Sequence, residues 1–318
     1  MFWNLLILAA GLAVLIKGAD FLIDGSSSIA KKLKIPYIVI GLVVVAFGTS
    51  LPELVVNILA SAQGSTELAV ANVIGSNVSN ILLILGISAI IFPLALKTGT
   101  TWKEIPLSLL AIILVFIMAN DVLFDGMASD ALTRIDGIVL LCFFIIFIYY
   151  TYGVGKIKGQ AEDGIKTYKT WIAIAMIVAG IIGLALGGKL AVDSAVSIAR
   201  MAGLSEAMIG LTIVAIGTSL PELAASAVAA YKKNADIAIG NIIGSNIFNV
   251  FWVLGLSSVI RPLEFSTDLN IAVIFTIAIT VILFLFMFVG KRRILERWQG
   301  IGFLVLYAAY LTYVVIQG

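Results

Sequence analysis

The chain contains no histidine and a single cysteine among its 318 residues. Without histidine it lacks the usual general base and the commonest ligand for transition metals. With Cys142 alone, there is no intrachain disulfide framework and no thiolate metal cluster. Charge is scarce too: Asp, Glu, Lys and Arg make up 12% of the residues, about half the share found in soluble domains. A net charge of +2 is far too small for a basic surface that would hold nucleic acid. Proline occurs only six times, so any proline inside an apolar run calls for a reason.

What remains is apolar. Hydrophobic residues make up 61% of the chain, and the mean hydropathy is +1.14. Runs such as 2–16, 105–119, 137–150, 171–186, 271–290 and 301–316 are almost wholly apolar. Spanning the hydrocarbon core takes about 20 mostly apolar residues in a helix. The chain therefore reads as an all-α polytopic membrane protein whose main surroundings are the lipid bilayer. Its first segment, FWNLLILAAGLAVLI, has neither the basic start nor the small-residue cleavage site of a signal peptide, and is expected to stay as the first span.

The sequence repeats itself. Shifting by 169 residues aligns Gly41 with Gly210, Glu53 with Glu222, Asn72 with Asn241, Ser76 with Ser245, Asn80 with Asn249 and Gly86 with Gly255. The heptapeptide GTSLPEL recurs letter for letter at 48–54 and 217–223. Five apolar segments are expected in the first half, near 2–28, 36–62, 67–92, 104–119 and 134–152. Five more are expected near 170–200, 205–230, 236–260, 268–289 and 297–316. The domains are then a first five-helix repeat over 1–152 (motifs 41–62 and 71–86), a cytoplasmic linker loop over 153–169, and a second five-helix repeat over 170–318 (motifs 210–231 and 240–255).

An odd number of spans per repeat inverts the second repeat relative to the first. Loop charges test this through the positive-inside rule. Fifteen Lys and Arg follow odd-numbered spans, from Lys31 to Arg297, against only Arg134, Arg200 and Arg261 after even-numbered ones. This predicts ten transmembrane helices in two inverted-topology repeats with both termini extracellular. Secondary transporters are built this way, with the substrate site near the midplane where the repeats meet.

Glu53 and Glu222 are the carboxylates set deepest in apolar segments. A charge at the bilayer centre costs about 2.5–3.5 kcal/mol on insertion scales, so it normally faces a cavity or a partner. The plainer alternative, a protonated carboxyl used in packing, does not explain why the same glutamate recurs in both repeats. Thr49 and Thr218 precede the glutamates by four residues and share their helix faces. Pro52 and Pro221 lack an N–H, which is expected to free the carbonyls of Gly48 and Gly217 and bend the helices there. Carboxylate, hydroxyl and freed carbonyl form an all-oxygen cluster of the kind that Ca²⁺ and Na⁺ prefer. In the third span of each half, NVIGSNVSN (72–80) matches NIIGSNIFN (241–249). Ser76 with Asn80, and Ser245 with Asn249, can each face one cavity, while Gly75 and Gly244 are expected to serve helix packing. Asp20, Asp24 and Asp193, with Lys17 and Lys189, suggest snorkelling or ion pairing. Asp121, Asp125, Asp130 and Asp136 suggest a solvated acidic loop.

At these motifs the chain resembles the cation/calcium exchanger (CaCA) superfamily, and most closely prokaryotic sodium/calcium exchangers. The resemblance covers essentially the whole length. It implies a diamond of cation sites between spans two, three, seven and eight. Glu53 and Glu222 would be charged ligands shared by Ca²⁺ and Na⁺, with Thr49, Thr218, Ser50 and Ser219 adding hydroxyl or backbone oxygens. Ala46 and Ala215 would offer main-chain carbonyls, and Ser76, Asn80, Ser245 and Asn249 would complete the sites. Spans one and six would move as a pair across this core. Asn249 departs from relatives that carry aspartate there, leaving two carboxylates where those have three.

The expected function is an antiporter that exchanges Na⁺ for Ca²⁺ at the plasma (cell inner) membrane, extruding Ca²⁺ electrogenically. It is not expected to be an enzyme, to hold a resident cofactor or to need an obligate protein partner. The alternatives are a Ca²⁺/H⁺ exchanger and a K⁺-dependent Na⁺/Ca²⁺ exchanger.

Overall fold

Apolar runs without an internal proline form the longest helices. The computed structural model describes residues 2–156, 166–202 and 215–317. Helix α1 covers Phe2–Leu33. Helices α2 (Tyr37–Thr49) and α3 (Leu51–Gln63) form a pair bent by 47°. Then follow α4 (Thr66–Ile91), α5 (Thr100–Met118), the short α6 (Asp121–Asp125) and α7 (Arg134–Gly155). The second half supplies α8 (Thr170–Met201), the single turn α9 (Ala215–Gly217), α10 (Leu220–Tyr231), α11 (Ala235–Ile260), α12 (Leu269–Phe286) and α13 (Arg297–Gln317).

Among the described residues, eight helices are long and apolar enough to cross a membrane, and the bent α2–α3 pair makes a ninth. The chain is a multi-pass membrane protein. Each of these nine matches one expected segment. The remaining segment, 205–230, begins on residues outside those described and is represented by α9 and α10. The middle of the expected linker, 153–169, also lies outside them, and α7 runs to Gly155, slightly into that stretch.

Two short strand pairs tie loops together at opposite ends. Strand β1 (Leu94–Ala95) pairs antiparallel with β4 (Ile294–Leu295), and β2 (Ala131–Leu132) with β3 (Leu263–Glu264). The loops after the third and ninth expected spans thus meet, as do those after the fourth and eighth. Alternating spans would put each of these pairs on one side.

Helix α11 is almost wholly buried and α4 largely so, whereas α7 and α13 mostly face outward. The polar motifs therefore sit on the central helices. Outside this centre, α1 and α8 form the most extensive helix pair, because glycines let their backbones touch. A Cβ on Gly18 would lie 2.7 Å from Leu184 N, and one on Gly180 would lie 2.6 Å from Leu22 N. Small residues at membrane-helix interfaces permit this approach. The packing role expected of Gly244 is real, since a Cβ there would lie 2.6 Å from Leu42 O. Gly75 does not share it: nothing lies within 4 Å of its would-be Cβ. Replacing Gly18 with valine should separate α1 from α8 and lower the melting temperature in detergent. Overpacking of this kind costs about 1–3 kcal/mol. An unchanged melt would contradict backbone contact at this seam.

An oxygen-lined candidate cation site

Pro52 and Pro221 each stand at the second position of a new helix, α3 and α10. The bend expected at Pro52 is present, 47° between α2 and α3, and takes the form of a helix that stops and restarts. The residue before each new helix has nearly the same backbone: Ser50 at φ −85, ψ 7 and Ser219 at φ −86, ψ 2. Ser50 N still donates to Ala46 O at 3.0 Å, and Leu54 N donates to Ser50 O at 3.1 Å. Proline is tolerated here because the first N–H groups of a helix have no partner within it. Glu53 and Glu222 consequently fall in the first turns of α3 and α10, where the helix dipole favours negative charge. Both are 1% exposed.

The second wall comes from α4 and α11. Each widens into a π-helical segment, Asn80–Ile84 in α4 and Asn249–Leu254 in α11. Both segments open on an expected site residue, and such wide turns are frequent at functional sites. Ser76, Asn80, Ser245 and Asn249 are all buried.

The structure brings these elements together across the two halves. Ser50 Oγ donates to Glu222 Oε1 at 2.9 Å and lies 3.0 Å from Ser245 Oγ. Thr49 Oγ1 donates to Asn241 Oδ1 at 3.0 Å and lies 3.3 Å from Ala46 O. Asn241 in turn donates to Ser226 Oγ at 2.8 Å and to the main-chain carbonyl of Glu222 at 3.3 Å. Thr218 lies beside Glu53. Ala215 opens α9 at the edge of the described residues.

A set of buried oxygens is left over. Glu53 Oε2, Glu222 Oε2, Ser76 Oγ, Asn80 Oδ1, Asn249 Oδ1, Thr218 Oγ1 and Ser219 Oγ make no hydrogen bond. Buried polar atoms are nearly always paired. Others, such as Ser88 Oγ, Glu104 Oε2 and Ser257 Oγ, are also left over, and these seven are the ones on residues expected at the site from sequence. They combine two carboxylates with neutral hydroxyl and amide oxygens, a donor set suited to hard cations. Among the described residues no group of three or more His, Cys, Asp and Glu could hold a metal ion, so the two glutamates supply the charge of this cluster.

The two halves are not in the same state. Thr49 and Ser50, at the first helix break, are bonded to Asn241 and Glu222 of the other half. Their counterparts Thr218 and Ser219 have no partner at full hydrogen-bond geometry, although Thr218 stands beside Glu53 as Thr49 stands beside Glu222. Asn72, the counterpart of Asn241, donates instead to Asn57 Oδ1 at 2.8 Å.

Sequence reasoning passed over several residues here. Asn77, Asn246, Asn57 and Ser226 went unremarked, and Asn72 and Asn241 served only to align the repeats. All obey the same 169-residue spacing, which pairs Asn57 with Ser226, Asn72 with Asn241 and Asn77 with Asn246. The repeat was the signal that could have found them.

At the periphery, Lys232 bridges Asp20 at 2.5 Å and Asp24 at 2.6 Å, and Lys189 meets Asp193 at 3.1 Å. The pairing reading of these aspartates therefore stands. Of the acidic loop, Asp136 accepts from Thr133 N at 2.7 Å in a helix cap and Asp130 accepts from Val122 N at 2.8 Å. Both brace the local backbone and are not merely solvated.

Known proteins bear on what this arrangement is. The sodium/calcium exchanger protein family matches residues 3–153 and 172–316. The chain belongs to the sodium/calcium exchanger family. Its relatives include the sodium/calcium exchanger MaX1 of Methanosarcina acetivorans, 31% identical over 97% of both chains. The inner membrane protein YrbG of Escherichia coli is 35% identical over 94% of this chain and 92% of its own. Among solved structures, the sodium-calcium exchanger NCX_Mj superposes with a TM-score of 0.84 at 33% identity, covering 97% of this chain and 98% of its own.

In this exchanger-family chain, Asn241 binds more of the site than its repeat counterpart Asn72 does. Asn241→Leu should remove the partner of Ser226 Oγ, one of the two acceptors of Thr49 Oγ1 and a second donor to the Glu222 carbonyl, at about 1–3 kcal/mol for a buried group left unpaired. Asn72→Leu should cost less, since it orphans only Asn57. Thermal melts of the two variants in one detergent check this, and equal losses would contradict the asymmetry.

Proposed function

We propose that this protein is a secondary-active antiporter, not an enzyme, that exchanges Na⁺ for Ca²⁺ across the plasma (cell inner) membrane. The observation that carries this reading is the set of unpaired buried oxygens, Glu53 and Glu222 among them, on the residues of the repeated motifs, within a family of sodium/calcium exchangers. Glu53, Glu222, Thr49, Thr218, Ser50, Ser219, Ser76, Ser245, Asn80 and Asn249 are the side-chain ligands of this proposal, with Ala46 and Ala215 contributing main-chain carbonyls. Ca²⁺ and Na⁺ are cargo.

The charge count gives the exchange its logic. Two carboxylates balance one Ca²⁺. Three Na⁺ in the same oxygens would leave one positive charge, so a cycle of three for one moves net charge across the membrane. Holding both loads together would set five positive charges against two negative ones, so the loads exclude each other. Each ion shifts the conformational equilibrium only as far as it binds the two states unequally. The asymmetric bonding of the two helix breaks is what a protein stopped on one side of an alternating-access cycle would show. Ten spans in two inverted five-helix repeats, with both termini outside and residues 153–169 as a cytoplasmic linker, supply the scaffold for that cycle. The matching breaks at Ser50 and Ser219 and the matching wide turns at Asn80 and Asn249 support it.

Proteoliposomes loaded with Na⁺ and diluted into Na⁺-free medium at matched pH should accumulate ⁴⁵Ca²⁺. Glu53→Gln should reduce uptake to background, because it removes one of two ligand charges and keeps the shape. External K⁺ should leave the initial rate unchanged. Uptake driven by a pH gradient and indifferent to Na⁺ would instead establish Ca²⁺/H⁺ exchange.

A further inference from the structure

An asparagine can turn either its carbonyl or its NH₂ toward a cavity, and only the carbonyl attracts a cation. Asn80 and Asn249 face that choice, since neither carries a charge. The structure resolves it through two residues that sequence reasoning passed over. Asn80 Nδ2 donates to Asn246 Oδ1 at 2.9 Å, and Asn249 Nδ2 donates to Asn77 Oδ1 at 3.1 Å. Asn77 Nδ2 also reaches the main-chain carbonyl of Asn246, at 3.5 Å.

These bonds cross between helices. Asn77 of α4 holds Asn249 of α11, and Asn246 of α11 holds Asn80 of α4, each pair using residues three apart on its own helix. All four are at most 3% exposed, so water does not compete for the amides. With the NH₂ groups of Asn80 and Asn249 engaged, their Oδ1 atoms are the ones left buried and unpaired. Turning Asn249 over would set its carbonyl against that of Asn77, whose own NH₂ is held by the Asn246 main chain. Asn246 Nδ2 has no partner, so Asn80 turns over only together with Asn246.

We propose that Asn77 and Asn246 are positioning residues that lock Asn249 and Asn80 with their carbonyl oxygens toward the transported cation. They do not touch the ion. The inference rests on the exchanger reading of this site. It also makes a statement about chemistry: a carboxylate shows oxygen whichever way it turns, so an aspartate at 249 needs no such lock. The requirement for Asn77 follows from having an amide at 249.

The test is equilibrium ⁴⁵Ca²⁺ binding to the purified full-length protein in detergent. Asn77→Leu should raise the Kd about 10–100-fold, the usual effect of losing a group that orients a metal ligand. In an Asn249→Asp background the same Asn77→Leu change should raise it less than about threefold. Losses of equal size in both backgrounds would mean that Asn77 is merely structural, and an unaffected Kd in Asn77→Leu would mean that no lock exists. Either result overturns the proposal. Should Asn77→Leu fail to fold, the reciprocal cycle of Asn246→Leu with Asn80→Asp carries the same expectation. A wild-type protein that binds no Ca²⁺ would instead sink the exchanger reading, and this inference with it. Wild-type binding with no dependence on background would sink the inference alone.

Discussion

Two carboxylates held out of water dominate the centre of this structure. Burial removes their hydration, which makes carrying charge there costly. The surrounding chain is arranged to meet that cost without neutralising the charge for good. The helix restarts at Pro52 and Pro221 give each glutamate the favourable end of a helix dipole. Ser50 donates to Glu222, and Asn241 holds its main-chain carbonyl. Among the described residues no lysine or arginine forms an ion pair with either glutamate. A permanent cation partner would stabilise the glutamates better, but it would leave nothing for a transported ion to do.

The same constraint explains why the neutral donors are so tightly arranged. A carbonyl or hydroxyl oxygen can help bind a cation and then release it, but only if it points the right way beforehand. On the proposed exchanger reading, the amide bonds of Asn80 and Asn249 and the wide turns that begin at those residues are forms of preorganisation. The bonding at Ser50 and its absence at Ser219 show that the two halves, nearly identical in letters, do not sit in identical surroundings. A duplicated sequence thus gives two versions of one local structure.

Much of this was legible in the sequence, and the reason is specific. The repeat offset of 169 residues tied Glu53 to Glu222 and Asn80 to Asn249, and one coincidence in an apolar run would have meant little. Span positions were legible because a bilayer demands long apolar helices. The bend at Pro52 was legible, but not that the helix stops and restarts there, because a proline near the start of a helix and one in its middle look alike in a row of letters. The wide turns at Asn80 and Asn249 carry no residue signature. Asn77 and Asn246 escaped notice because their partners lie on another helix, about 170 residues away in sequence. Gly75 misled in the opposite direction, since a small residue in a repeated motif need not touch anything.

The claim that matters most is that Na⁺ and Ca²⁺ compete for one set of oxygens around Glu53 and Glu222. The most direct measurement is Ca²⁺ binding to the purified protein by calorimetry at a series of Na⁺ concentrations and constant pH. The expected result is a Kd that rises with Na⁺ more steeply than the first power, toward a limit of about the third power if three Na⁺ replace one Ca²⁺. A Kd indifferent to Na⁺ would contradict a shared site.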